Sequence, residues 1–422
     1  DRDWSSDVCS SDLLYVNDFI SIIMVKRDLY LNRISSLIDK DIIKIIVGVR
    51  RCGKSYMFNL IIEELLKRGI DKENILLINF ESAKYRNVSN PRELDLLVGD
   101  LTKDINGKIY MFFDEIQNVD GWEKSINSFR VDYDCDIYLT GSNSKLLSGE
   151  LATHLAGRYM EIKMYTFSFK EYLDYKKTAP NKNAFTDYLT YGGFPFLLSL
   201  ESEIDKTEYL NDIFNSIFLK DIIERYNIRD AGLLTRIVDF ILDNTGKIVS
   251  SKSISDYLRK KEKIKVSPKT IYNYLEYLTN ACLLYKVQRE DLEGKKILSI
   301  NEKYYCVDQG FNQVRIGRNQ VNNSRIIENI VYFELLRRGY EVTIGCVGKY
   351  EIDFVCKKMG EKIYVQVTRE LSHDDTIERE FRPLLMVKDN YPKYVISTDE
   401  FDMSRDGIKH MNILDFLLDD EI

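Results

Sequence analysis

Residues Gly48-Val49-Arg50-Arg51-Cys52-Gly53-Lys54-Ser55 follow the spacing G-x-x-x-x-G-K-S. The glycines let backbone N–H groups turn inward around phosphate oxygens, Lys54 supplies a positive charge for β- and γ-phosphates, and Ser55 offers a hydroxyl to Mg2+. Gly48, Arg50, Arg51, Cys52 and Gly53 complete the expected cradle, with Arg50 and Arg51 as candidates for phosphate contact or for coupling to a substrate. Asp114 and Glu115 end the apolar run Ile109–Phe113, 59 residues after Ser55. A carboxylate at a strand end beside a phosphate loop suits the Mg2+ shell, so Asp114 is assigned there. Glu115 suits the general base that deprotonates an attacking water. A third apolar run ends in Thr140-Gly141-Ser142-Asn143, where Asn143 or Ser142 is expected to sense hydrolysis. Arg158, entering the next run, is either a salt-bridge residue or an arginine finger reaching a neighbour's γ-phosphate. Together these residues predict Mg2+-dependent hydrolysis of a nucleoside triphosphate.

Such a site needs strands that deliver its residues to one edge. β-Branched or apolar runs at 42–47, 75–80, 109–113, 137–139 and 159–164 predict strands, with helical patterns between most of them. That alternation predicts an α/β fold with a parallel sheet covered on both faces. Lys54–Arg68 reads as the helix after the phosphate loop, closed by Gly69. Past Met164 the texture becomes helical. Ser168 and Glu171 have capping-box spacing, and Tyr191-Gly192-Gly193-Phe194-Pro195 interrupts the run. Helices at 253–261 and 268–280 with strands at 283–289 and 296–300 read as a winged helix. From about Ser324 a further α/β unit is expected, with strands at 341–344, 352–356, 363–368 and 393–396.

The chain has 422 residues, 44% hydrophobic and 30% charged, with a net charge of −7. This excludes a mostly disordered chain and leaves room for two or three domains. No uncharged apolar run reaches membrane-spanning length, so no membrane segment is expected. The 7 cysteines form no C-x-x-C pair, which fits reduced thiols and a cytoplasmic location. Against the acidic whole, residues 247–296 carry 12 Lys/Arg and 6 Asp/Glu. This local excess suits DNA as a partner of the winged helix, with Ser267, Lys269, Thr270, Tyr272 and Asn273 opening the second helix, and equally a solvated lysine face on a winged helix used for packing or subunit contact. Residues 1–23 are set aside as a leader: Asp3–Leu13 resembles a translated sequencing-adapter read, and Met24 begins the amphipathic pattern. The expected organisation is an ATPase core at 24–165, a helical lid at 166–245, a winged helix at 246–323 and a C-terminal α/β domain at 324–422.

The motifs GVRRCGKS at 48–55, FFDEIQNVDGWE at 112–123, LTGSNSKLLSGELATHLAGRY at 139–159, FSFKEYL at 167–173, YGGFP at 191–195, SPKTIYNYLEYL at 267–278 and EIDFV at 351–355 occur in order. With them the chain resembles bacterial and archaeal AAA-type ATPases that carry a C-terminal domain of uncharacterised function. The resemblance implies an ATP-binding core, a helical and winged-helix middle and a restriction-endonuclease-like end. In that end Glu328, Asp353 and Gln366-Val367-Thr368 follow the order of a nuclease Glu, Asp, Glu-x-Lys pattern. Gln366 replaces an acid and Thr368 replaces the lysine, so cleavage is not expected, although Glu351 leaves room for a weak metal site. The leading expectation is an ATPase, conceivably a homo-oligomer, whose cycle moves the later domains on a nucleic-acid or protein partner. The alternatives are a nucleotide-gated DNA-binding module with slow turnover and an ATP-dependent nuclease.

Overall fold

The computed structural model describes residues 25–141, 155, 157–294, 296–317 and 323–419. The leader 1–23, Ser142 and Asn143 lie outside the described residues. Five strands form the first sheet: β1 Ile43–Val47, β2 Ile75–Asn79, β3 Ile109–Asp114, β4 Cys135–Gly141 and β5 Tyr159–Lys163. Their spatial order is β2-β3-β4-β1-β5, and every pairing is parallel. Parallel strands covered on both faces need continuous apolar runs, and β1 and β3 are buried at every position. The single charge within β1, Lys44, is tolerated because Asp136 of β4 pairs with it inside the sheet.

The two faces of this sheet feed different cores. Ile43, Ile45, Val47, Met111, Phe113, Ile137 and Leu139 pack with residues of helices Pro91–Thr102 and Trp122–Asp132. The alternate residues Ile46, Tyr110, Phe112 and Tyr138 join a core that continues through helix Lys54–Lys67 into the rest of the chain. The two-residue periodicity of a strand divides the side chains in this way.

After β5 come helices Phe169–Lys176, Lys182–Tyr191 and Glu203–Ser216, a π-helical stretch Ile217–Glu224, and helix Ala231–Asp243. The capping box expected at Ser168 is present: Glu171 N–H donates to the Ser168 hydroxyl at 3.1 Å and Ser168 N–H to Glu171 at 2.8 Å. Then follow β6 Ile248–Val249, helices Ser251–Lys261 and Pro268–Asn280, and the antiparallel hairpin β7 Leu284–Asp291 and β8 Lys296–Cys306. Strand β8 runs six residues beyond the stretch expected from sequence. The hairpin and the C-terminal segment, read from sequence as separate units, share one sheet. Strand β7 pairs in parallel with β9 Glu341–Val347, Arg289 lying opposite Ile344. With β10 Tyr350–Lys358, β11 Glu361–Val367, β12 Lys393–Ser397 and β13 Lys409–Asn412, the mixed sheet has eight strands in the order β13-β12-β11-β10-β9-β7-β8-β6. Among the described residues no helix is long and apolar enough to cross a membrane.

The glycine pair at 192–193 is the point where the helical middle meets this second sheet. Gly192 has φ 82°, and a Cβ there would lie 1.7 Å from the Asp308 carboxylate. A Cβ on Gly193 would lie 2.3 Å from the Phe167 carbonyl oxygen. Asp308, buried just after β8, accepts hydrogen bonds from Gly193 N–H and Gly310 N–H, both at 2.9 Å. Asp308→Ala therefore leaves two buried N–H groups without a partner. The expected loss is about 2–5 kcal/mol of stability, read as a lower urea midpoint at unchanged m-value; an unchanged midpoint contradicts this account.

Candidate functional site

In a parallel sheet the ligand crevice lies beyond the carboxyl ends of the strands. Strands β1, β3 and β4 deliver the phosphate loop, Asp114–Glu115 and Thr140 to that one edge. Because β4 is inserted between β1 and β3, Thr140 stands between the loop and the acidic pair.

The loop from Gly48 to Gly53 is packed from behind. A Cβ on Gly48 would meet the Met164 carbonyl oxygen at 2.2 Å, and Met164 N–H bonds back to Val47 O at 2.7 Å. Left-handed backbone at Arg51 (φ 68°) and Gly53 (φ 101°) turns the chain into helix Lys54–Lys67. The buried Lys54 ammonium donates to Gly48 O and Val49 O, each at 3.2 Å, and lies 3.6 Å from Glu115 Oε1. Burial alone would lower its pKa, but Cys52, Glu115 and Asp114 together raise it, so it is a cation. Ser55 stands in the first turn of the helix, and its hydroxyl is near enough to Asp114 to favour the carboxylate anion.

The remaining loop residues divide. Cys52 points inward, its thiol 3.7 Å from Met164 O, and burial pushes its pKa up, so it offers the site backbone only. Arg51 is exposed. Arg50 grips Asp221 of the π-helical stretch with two hydrogen bonds of 3.0 and 3.1 Å, and reaches Glu81 at 3.4 Å.

Asp114 is buried, which raises its pKa; the hydroxyls of Thr140 and Ser55 act the other way by favouring the anion. Thr140 donates its hydroxyl hydrogen to Asp114 and accepts from Glu115 N–H at 3.0 Å. Glu115 has left-handed backbone, φ 52°, and receives a hydrogen bond from the Gln117 amide. Thr140 and Gln117 were missed as site residues, although Thr140 stands in the strand-ending Thr140-Gly141-Ser142-Asn143 and Gln117 two positions after Glu115. Arg158 is not brought to this edge. It precedes β5, whose Tyr159 pairs with Ile43 at the amino end of β1, one strand length from the loop.

A second cluster occupies the C-terminal half. A cavity of about 360 Å³ is lined by Glu328, Glu351, Asp353, Gln366, Glu380 and neighbouring side chains. The expected residues Glu328, Glu351, Asp353 and Gln366 do converge there, whereas Thr368 is buried and bonds Ile396 O through its N–H. Gln366 is held at both ends: its Oε1 accepts from Asp353 N–H at 3.2 Å and its amide donates to Glu380 at 2.8 Å. Among the described residues no group of three or more His, Cys, Asp or Glu is placed to hold a metal ion.

The AAA domain family matches residues 40–173, the stretch holding the loop, Thr140 and the acidic pair. A domain family of unknown function matches residues 182–321. The chain is 40% identical over 400 residues to an uncharacterized protein of Haemophilus influenzae, covering 94% of this chain and 99% of that one. The chain belongs to this AAA-domain family. An uncharacterized protein of Methanocaldococcus jannaschii is 32% identical over 357 residues, 81% of this chain and 77% of the relative. Among solved structures, the Aeropyrum pernix ORC1 protein in complex with DNA is similar at TM-score 0.33 and 12% identity, covering 76% of this chain and 96% of that one. That likeness is too loose to bear on function.

In this AAA domain Thr140 holds both carboxylate residues through one hydroxyl. Thr140→Val keeps the shape and removes both bonds. The Asp114 carboxylate and the buried Glu115 N–H then lose a partner, and stability is expected to fall by about 1–3 kcal/mol, read as a lower urea midpoint; an unchanged midpoint contradicts this account.

Proposed function

We propose that the chain binds MgATP at the phosphate loop, hydrolyses it, and uses the cycle to move its helical hairpin unit on duplex DNA. The observation that carries this reading is the convergence of Lys54, Ser55, Asp114, Glu115 and Thr140 on one sheet edge. Ser55 and Asp114 are oxygen donors that fit a hard cation, and Mg2+ when bound there neutralises charge on the phosphate oxygens. Lys54 exchanges the carbonyls of Gly48 and Val49 for β- and γ-phosphate oxygens. Glu115 takes the proton of the attacking water, while Thr140 fixes the backbone that carries it. Arg158, at the far end of β1, can serve catalysis only at the site of a second copy of the chain, so its catalytic role requires a homo-oligomer.

Several contacts link the loop to the rest of the chain. Arg50 ties it to Asp221. Beyond β5, Tyr165 packs against Tyr285 of β7 and Phe333 of helix Asn323–Arg337, and Arg337 bonds Thr166 O at 3.0 Å. In this reading, movement of the loop on hydrolysis reaches the hairpin through these intervening contacts. The winged-helix reading places exposed Lys269, Tyr272 and Asn273 at the groove-facing start of helix Pro268–Asn280, with exposed Lys260, Lys261, Lys263 and Lys265 beside them.

Glu115→Gln keeps the shape and removes the base. ATP is expected to bind as in the parent and to turn over at least ~100-fold more slowly; an unaltered rate in a phosphate-release assay makes Glu115 structural. Replacing Lys263, Lys265 and Lys269 together by Ala should weaken duplex binding equally for all sequences. It should also reduce the slope of log K against log salt by about 0.9 per lost phosphate contact. A binding curve indifferent to salt and to these lysines moves the partner from DNA to protein.

A further inference from the structure

Three acids that line the pocket of the C-terminal half meet, behind its lining, a lysine that comes from elsewhere in the chain. Lys303 lies on β8, in the hairpin that follows helix Pro268–Asn280, and its neighbours across the ladder are Val287 and Ile248. Its ammonium lies 3.0 Å from Glu328, 2.8 Å from Glu351 and 3.3 Å from Asp353. The side chain is 2% exposed. Three carboxylates from two different elements, helix Asn323–Arg337 and β10, therefore point at one nitrogen.

Two of these acids also take a donor from another side chain or from the backbone. Tyr305 donates to Glu328 at 2.6 Å, and Val367 N–H to Asp353 Oδ2 at 2.9 Å. Gln366, where a further carboxylate would face a metal, is fixed between Asp353 N–H and Glu380. Burial would lower the pKa of Lys303, but Glu328, Asp353 and Glu351 outweigh it and raise it, so the nitrogen stays charged.

We propose that the Lys303 ammonium is the resident cation of this pocket: it clamps the hairpin onto the C-terminal elements and keeps divalent metal ions out. A cluster of three acids, two of them buried, needs a compensating positive charge within about 3 Å, and a lysine delivered by a paired strand provides it without any free ion. Mn2+ binds oxygen ligands, and the three carboxylates, held apart around the ammonium and not placed for a metal as they stand, are free to close on it once the ammonium is gone. The clamp is independent of the nucleotide reading, since none of its members touches the phosphate loop.

The test uses the full chain without nucleotide, Mn2+ as probe, bound metal read by electron paramagnetic resonance and folding by thermal unfolding. The parent is expected to show no Mn2+ binding that depends on Asp353. Lys303→Ala is expected to gain one Mn2+ site per chain, to lose it in Lys303→Ala/Asp353→Asn, and to melt higher with Mn2+ than without. A parental Mn2+ site abolished by Asp353→Asn overturns the proposal, as does a folded Lys303→Ala protein that gains none. Should Lys303→Ala fail to fold, the Lys303→Met/Glu328→Gln variant, which removes one positive and one negative charge and so keeps the net charge of the cluster, decides. Recovery of the parental fold supports an ionic clamp, and failure to recover it overturns one.

Discussion

One guanidinium holds the phosphate loop in place. Arg27, 2% exposed, donates to Cys52 O in the loop and to Tyr165 O beyond β5, each at 2.9 Å. It also grips the Glu171 carboxylate through two nitrogens at 2.9 and 3.1 Å, and lies over the rings of Tyr30 and Phe167. The loop, the exit from β5 and the first later helix are thus bonded to one charge. A planar fork with five donors can do this, whereas a lysine in its place could not span the three partners. Glu171 matters twice, because the same carboxylate closes the capping box on Ser168. The helix that leaves the AAA domain is therefore started by a residue that also neutralises the loop's anchor.

The phosphate loop was legible because its chemistry is local: eight consecutive residues contain the glycines, the lysine and the hydroxyl. Asp114 and Glu115 were legible because an apolar strand ending in two acids has few other readings. Thr140 was overlooked in favour of Asn143 because a strand's last residue and its following turn look alike until the neighbouring strands are known. Only the placement of β4 between β1 and β3 puts the threonine against the acidic pair. Position along the sheet likewise moves Arg158 away from the loop, since in a parallel sheet the start of β5 and the end of β1 lie on opposite edges.

The C-terminal half shows the limit of pattern reading more sharply. Strand β8 was expected only as far as Ile300, and the polar Asn301-Glu302-Lys303 follows. The strand passes through left-handed backbone at Asn301 (φ 64°), and its pairing register with β7 shifts between Val287 and Arg289. Beyond that bulge it continues with Lys303 directed inward. A lysine in a strand reads as solvent-facing unless its acids are known, and these lie 25 to 50 residues further on. The missing lysine of the expected Glu-x-Lys pattern was therefore sought beside Gln366, while a lysine already stood among the acids, brought by β8 further along the same sheet.

The shape of the eight-stranded sheet also bears on how copies of the chain can meet. Its outermost strands are β6, two residues long, and β13, four residues long. Each presents very few unpaired N–H and C=O groups along its free side. Short margins of this kind discourage another chain from adding a strand, which guards a broad sheet against open-ended stacking. An assembly of this protein is thereby directed away from backbone pairing at these margins and toward side-chain surfaces, whose geometry can close on itself.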